Sequence, residues 1–143
     1  MTAVEQLRLI LIADRNRNVR ELLKRELRAE GYRVHTAASA AQVLEEVSGT
    51  KPPDIVVLDL DLPDAGGAGI IEELKSRLPY VPVIVHTLVP EYVDLAAMNS
   101  TLGFVEKQGN SVEELKRMVG RFLGSSSGAS AIKKDAYAAH PDR

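Results

Sequence analysis

The sequence predicts an α/β domain built on a mostly parallel sheet, and two observations carry that reading. Short apolar runs alternate along the chain with amphipathic helical patterns, as repeated βα units require. Several of those runs also end on a residue able to do chemistry: LRLILIAD on Asp14, the run Ile55 to Leu58 on Asp59, PVIVHT on Thr87 and the weaker GFVEK on Lys107. If the strands are parallel, all four ends meet at one edge of the sheet, where open α/β folds place their sites.

The elements follow in order. After the first strand, Val19, Leu22, Leu23 and Leu27 share a helical face that Gly31 stops. Ser39-Ala-Ala-Gln42 reads as a capping box for a second helix burying Val43, Leu44 and Val47, ended by Gly49 and Pro52-Pro53. Ile55 to Leu58 and then Leu60 read as a strand buried on both faces, which brings Asp59 to the point where the strand meets solvent. A loop with Pro63 and Gly67 follows, and Gly67 to Leu78 carries a third apolar stripe of Ile70, Ile71, Leu74 and Leu78, closed by Pro79. Pro90 opens a short fourth helix with Val93, Ala96 and Ala97 inward. Ser111-Val-Glu-Glu114 reads as a second capping box, and Leu115, Val119, Phe122 and Leu123 form the inner face of the last helix.

From Gly124 the pattern gives way to GSSSGASA and a short charged end. That composition buries too little apolar surface to offset its ordering entropy, so residues 124–143 are expected to form a flexible tail after a single domain at 7–123. A chain of 143 residues, 45% hydrophobic, has room for one domain with a full core. Its 18 basic and 20 acidic residues are mixed without a long run of either sign, which gives no reason to expect nucleic acid or a membrane as a direct partner. The absence of cysteine excludes disulfides, thiolate chemistry and cysteine zinc sites. The first residues lack a basic n-region and a cleavage site, and their apolar run is too short to span a bilayer, so a cytoplasmic location is the expectation.

Taken together, Asp59, the loop with Pro63 and Gly67, Thr87 and Lys107 resemble the receiver domain of two-component response regulators, over about Leu7 to Leu123. The resemblance implies a flavodoxin-like, CheY-like three-layer sandwich around a doubly wound five-stranded parallel sheet in the order 2-1-3-4-5. It also implies that Asp59 accepts a phosphoryl group from a histidine kinase or phosphotransfer protein, with Thr87 and Lys107 binding that group and Phe104 turning inward as an aromatic switch. Such a domain signals through an altered surface and is not an enzyme beyond assisting its own phosphorylation and dephosphorylation. Phe104 reads equally well as a core aromatic of the last strand.

The same resemblance implies Mg²⁺, held by Asp59, the backbone carbonyl of Asp61 and, through water, Asp14. Here the chain departs from the family: the acidic pair that normally closes the first strand is Asp14-Arg15. A guanidinium at that position weakens the metal site by repulsion and by loss of a ligand. Three readings of Arg15 stay open: Asp14 and Asp61 retain a weakened site, Arg15 pairs with Asp59 or the phosphoryl group in place of the metal, or Arg15 points into solvent. Leu88 stands where the family has a small residue and Asp61 adds charge at the rim, and both suggest slow phosphorylation. His86 reads as a strand-end histidine with a backbone partner.

Two rival functions are consistent with the residues. A receiver-like module that binds proteins and never takes phosphate follows if Arg15 has ended metal-dependent chemistry. A haloacid-dehalogenase-type phosphatase matches the spacing Asp59-Leu60-Asp61, although downstream the acids Glu91, Asp94 and Glu106 are separated. For a homodimer through the fourth helix, last strand and last helix, Glu91, Asp94 and Glu106 would face Lys116, Arg117 and Arg121 across a two-fold axis.

Overall fold

The computed structural model describes residues 7–64, 68–88 and 102–124. In chain order the elements are β1 (Leu9–Ala13), α1 (Arg17–Ala29), β2 (Arg33–Ala37), α2 (Ala40–Val47), β3 (Ile55–Leu58), α3 (Ala68–Arg77), β4 (Val83–Thr87), β5 (Leu102–Glu106) and α4 (Ser111–Leu123). The strands form one parallel sheet in the order β2-β1-β3-β4-β5, as the family resemblance implies. The expected fourth helix, Gly67 and the tail after Gly124 lie outside the described residues.

Two apolar layers clamp the sheet. On one face Leu11, Val56, Leu58, Val83 and Val85 meet Val43 and Val47 of α2 and Ile70 and Leu74 of α3. On the other, Ile10, Ile12, Val57, Ile84 and Val105 meet Leu23 and Leu27 of α1 and Leu115 and Val119 of α4. Both β1 and β3 are buried along their whole length, because helices cover both faces of the middle strands.

The helix boundaries follow local chemistry. Asn16 caps α1 by accepting the Val19 N–H, and Gly31, at φ 102°, ends it. Two closing bonds, Gly31 N–H to the Arg28 carbonyl and Tyr32 N–H to the Leu27 carbonyl, satisfy the last turn. Leu22 corrects the sequence reading: it is 36% exposed, since α1 buries a stripe at Val19, Leu23 and Leu27 and Leu22 lies about 100° round the helix from Leu23. The second capping box is corrected too. Asn110 takes the N-cap position of α4 without a side-chain bond, and Ser111 is the first helical residue, itself buried.

At α2 the Ser39 hydroxyl does accept the Gln42 N–H, at 3.2 Å, while the Gln42 side chain accepts the Ala38 N–H at 2.6 Å. A third partner comes from far along the chain. Asp64 accepts the Ala40 N–H at 2.7 Å and the Ala41 N–H at 3.0 Å, tying the loop after β3 to the start of α2. Those two amides hold the Asp64 carboxyl below its ordinary value.

Candidate functional site

Strand register decides which residues meet. Ala13 pairs with both Ala37 and Leu58, so β1 and β3 end level, and the next residues, Asp14 and Asp59, leave the sheet side by side. The backbone keeps them there: Asp14 N–H donates to the Ala37 carbonyl at 3.1 Å and Asp59 N–H to the Ala13 carbonyl at 2.8 Å. Lys107 follows β5 and reaches over from the far side, with its own N–H bonded to the Thr87 carbonyl at 2.8 Å.

At the centre are two carboxylates and one ammonium. Lys107 Nζ lies 2.8 Å from Asp14 Oδ2 and 3.5 Å from Asp59 Oδ2. Both aspartates are about 1% exposed, which corrects the expectation that Asp59 meets solvent: the loops after β1 and β3 and the lysine cover it. Backbone donors complete the set. Arg15 N–H reaches Asp59 Oδ2 at 3.2 Å, Asp61 N–H reaches Asp59 Oδ1 at 2.9 Å, and Asn16 N–H reaches Asp14 Oδ1 at 2.8 Å. Burial pushes the Asp14 carboxyl above its ordinary value, against the opposing pull of the Lys107 hydrogen bond, the Asn16 N–H and the ammonium charge.

In the unphosphorylated chain Arg15 makes a contact that none of its three readings named. Its guanidinium pairs with neither Asp59 nor open solvent alone; it stands 3.9 Å from the Asp61 carboxylate, with the Arg15 side chain 53% exposed. Arg15 and Asp61 thus touch Asp59 through their peptide N–H groups and touch each other through their side chains. Among the described residues no group of three His, Cys, Asp or Glu side chains converges as a metal site.

Thr87 ends β4 fully buried, and among the described residues its hydroxyl has no hydrogen-bond partner. An orphaned buried hydroxyl is uncommon and is suited to a group that arrives later. Leu88 beside it is 56% exposed and so is not packed down into the site. Phe104 is half-buried on β5 against the apolar layer of α2 and α3, and Pro63 is exposed in the loop after β3. His86 corrects its reading. It is 3% exposed, neither ring nitrogen has a hydrogen-bond partner among the described residues, and burial together with the Lys107 charge pushes its pKa down to about 4.

Several residues of this edge were not singled out in the sequence. Arg20 of α1 donates to the Asp14 carbonyl at 2.9 Å and steadies the loop that carries Arg15. Asn16 was legible as a capping residue just before a helical run, whereas Arg20 and Asp64 had no local signal because their partners lie elsewhere in the fold. Of the charges expected to face one another across a two-fold axis, Lys116 is described together with its partners in its own chain. Lys116 Nζ is held within its own chain by Glu26 of α1 at 2.8 Å, with Glu113 at 3.5 Å and Glu30 at 3.8 Å, while Glu91 and Asp94 lie outside the described residues.

A doubly wound sheet of this order, with two buried carboxylates and a lysine at the strand ends, defines a receiver-like signalling fold. The comparisons agree. The family model of the response regulator receiver domain matches residues 10–119, and the chain belongs to that family. It is 32% identical over 107 residues to a putative NtrX-like response regulator of Rickettsia typhi, covering 71% of this chain and 22% of that one. It is 36% identical over 78 residues to the response regulator MprA of Mycobacterium sp. (strain KMS), covering 54% of this chain and 34% of that one. The chain therefore spans between about a fifth and a third of these relatives' length. Among solved structures, the response regulator TrrA of Thermotoga maritima in complex with Mg²⁺-BeF aligns with a TM-score of 0.72 and 31% identity, over 81% of this chain and 99% of that one.

Proposed function

We propose that this receiver accepts a phosphoryl group on Asp59 from a histidine kinase or phosphotransfer protein and signals through a changed surface, without being an enzyme in its own right. The observation that supports this most is the Lys107 ammonium 3.5 Å from Asp59, with Thr87 at the end of the neighbouring strand β4 and its buried hydroxyl without a hydrogen-bond partner among the described residues. In the transfer, an Asp59 carboxylate oxygen bonds to phosphorus as the bond from phosphorus to the donor imidazole nitrogen breaks. The electron pair of that bond returns to the ring, which leaves neutral because its other nitrogen carries a proton. The incoming oxygens add negative charge, and Lys107 and the N–H groups of Arg15 and Asp61 are already in place to stabilise it.

Mg²⁺ is bound by the relative TrrA in its BeF complex. A hard dication needs about six oxygens. Among the described residues no three acidic or histidine side chains converge, the Lys107 ammonium already occupies the gap between Asp14 and Asp59, and the remaining acidic position of the family is the arginine that faces Asp61. The donor set as arranged does not fit the ion, and no step is derived through it.

A second reading, an interaction module that takes no phosphate, is favoured by the burial of Asp59 to 1%. Incubation with a cognate kinase or with phosphoramidate in the presence of Mg²⁺, followed by peptide mapping, separates the two. The receiver reading expects one labelled site that disappears in Asp59→Asn; label surviving in that variant, or none in the wild type, sinks it.

A further inference from the structure

Resting on that reading, we infer that Arg15 does the work of the divalent cation: its guanidinium leaves Asp61 for the phosphoryl oxygens on Asp59, making phosphate recognition independent of metal. Three features of the site carry this.

The first is position. Arg15 N–H already bonds Asp59 Oδ2, which fixes the arginine backbone against the acceptor atom. A four-bond side chain starting there has the phosphoryl oxygens within its sweep, and a planar guanidinium matches two of those oxygens at once. The second is availability. Among the described residues the Arg15 guanidinium pairs with Asp61 alone, at 3.9 Å, with the two side chains 53% and 29% exposed. An ion pair of that length and exposure is weak, so exchanging it for a doubly charged group is favourable. The third is need. Lys107 is shared between Asp14 and Asp59 and is closer to Asp14, so it leaves the arriving charge only partly balanced.

The exchange also has a consequence for signalling. In the resting state Arg15 and Asp61 strap the loop after β1 to the loop after β3 across Asp59. Once Arg15 turns to the phosphoryl group, the Asp61 carboxylate loses that ion pair while its N–H stays on Asp59, and the change falls on the loop that Asp64 ties to α2. Phosphate state is thereby passed to the α2 side of the domain through one arginine.

The test uses phosphoramidate as donor in excess EDTA, with intact-mass and peptide mapping as readout. Asp59 oxygen bonds to phosphorus as the phosphorus–nitrogen bond breaks, and the electron pair leaves with the nitrogen, which the donor already carries protonated as –NH₃⁺, as neutral ammonia. The inference expects Asp59-dependent labelling in EDTA, slowed roughly ten- to hundredfold in Arg15→Ala and partly restored in Arg15→Lys, as loss of a charge-assisted bond requires. In parallel, NMR should show the Arg15 side-chain Nε–H and the Asp61 amide shifting when BeF₃⁻ is added without Mg²⁺. Arg15→Asp, which supplies a hard ligand in place of the cation, should label only when Mg²⁺ is added. Wild-type labelling only with Mg²⁺, or unchanged labelling of Arg15→Ala in EDTA, overturns the inference and leaves Asp59 as phosphoacceptor. No labelling under either condition overturns the acceptor reading and this inference together.

Discussion

Lys107 Nζ sits 2.8 Å from Asp14 Oδ2, closer than to Asp59, so the aspartate proposed to receive phosphate is the lysine's second partner. The two carboxylates are both about 1% exposed, and one ammonium balances them. Lys107 is therefore a structural residue of the resting protein as well as a candidate phosphoryl ligand.

Replacing Lys107 with methionine keeps most of the apolar stem and removes the charge. Two buried carboxylates would then face each other uncompensated, and stability should fall by about 3 kcal/mol, the scale for stranding a buried charge. Adding Asp14→Asn should recover part of that loss, because it removes one of the two like charges. A double-mutant cycle by urea denaturation checks the sign of the coupling; an additive result would mean that Lys107 does not hold the pair together.

His86 makes stability depend on pH. Its pKa in the folded protein is about 4 against an ordinary 6.5, with burial and Lys107 lowering it and Asp59 partly opposing them. As pH falls the unfolded chain takes the proton first, so the contribution is intact above 6.5 and is lost between 6.5 and about 4. The full loss is on the order of 3 kcal/mol. His86→Leu should flatten this window in denaturation curves taken at successive pH values. An equal slope in the variant would assign the effect to the carboxylates instead.

Gly103 in β5 is pressed against α4. A Cβ there would stand 2.6 Å from Met118 Sδ and 3.2 Å from the Phe122 ring. Gly103→Ala should destabilise the protein by about 1 kcal/mol through overpacking. Met118→Ala should relieve much of that cost, since it removes the nearer of the two neighbours. Thermal melts of the two single variants and the double variant decide it; no rescue would place the strain on Phe122.

Asp64 links the loop after Asp59 to the first turn of α2 through the Ala40 and Ala41 amides. Asp64→Ala should speed hydrogen exchange at those two amides while leaving the amides of α1 unchanged. Because the folded carboxyl is held below its ordinary value, this support is present at neutral pH and disappears as the pH falls through the folded value. Exchange rates unchanged by the substitution would show that Ser39 alone caps the helix.

The outline of the domain was legible in the chain because burial on both faces of a parallel sheet writes continuous apolar runs, as in Ile55 to Leu58. β2, RVHTA, was not picked out as a run, because its exposed residues break the apolar pattern; the five-stranded order implied by family resemblance required it. Helix ends were read well where the signal is local, at Ser39 and Gly31, and misplaced at Ser111, where Asn110 takes the cap position instead. Leu22 was misread for a related reason: spacing puts a residue near a helix face, and only the packed neighbours set the width of the face that is covered.

By itself the sequence determined the fold class, the family, and the set of residues that end the central strands. The fold class and the strand ends depend on periodicity and residue type, and the family on the resemblance that those residues carry, all of them properties of the chain. Only the tertiary structure decided how those residues share charge: that Lys107 favours Asp14, that Asp59 is covered, that the His86 nitrogens have no hydrogen-bond partner among the described residues, and that Arg15 lies against Asp61. Each of these turns on distances of a few ångströms between side chains far apart in sequence. Such distances are fixed by strand register and loop path, and no local pattern encodes them.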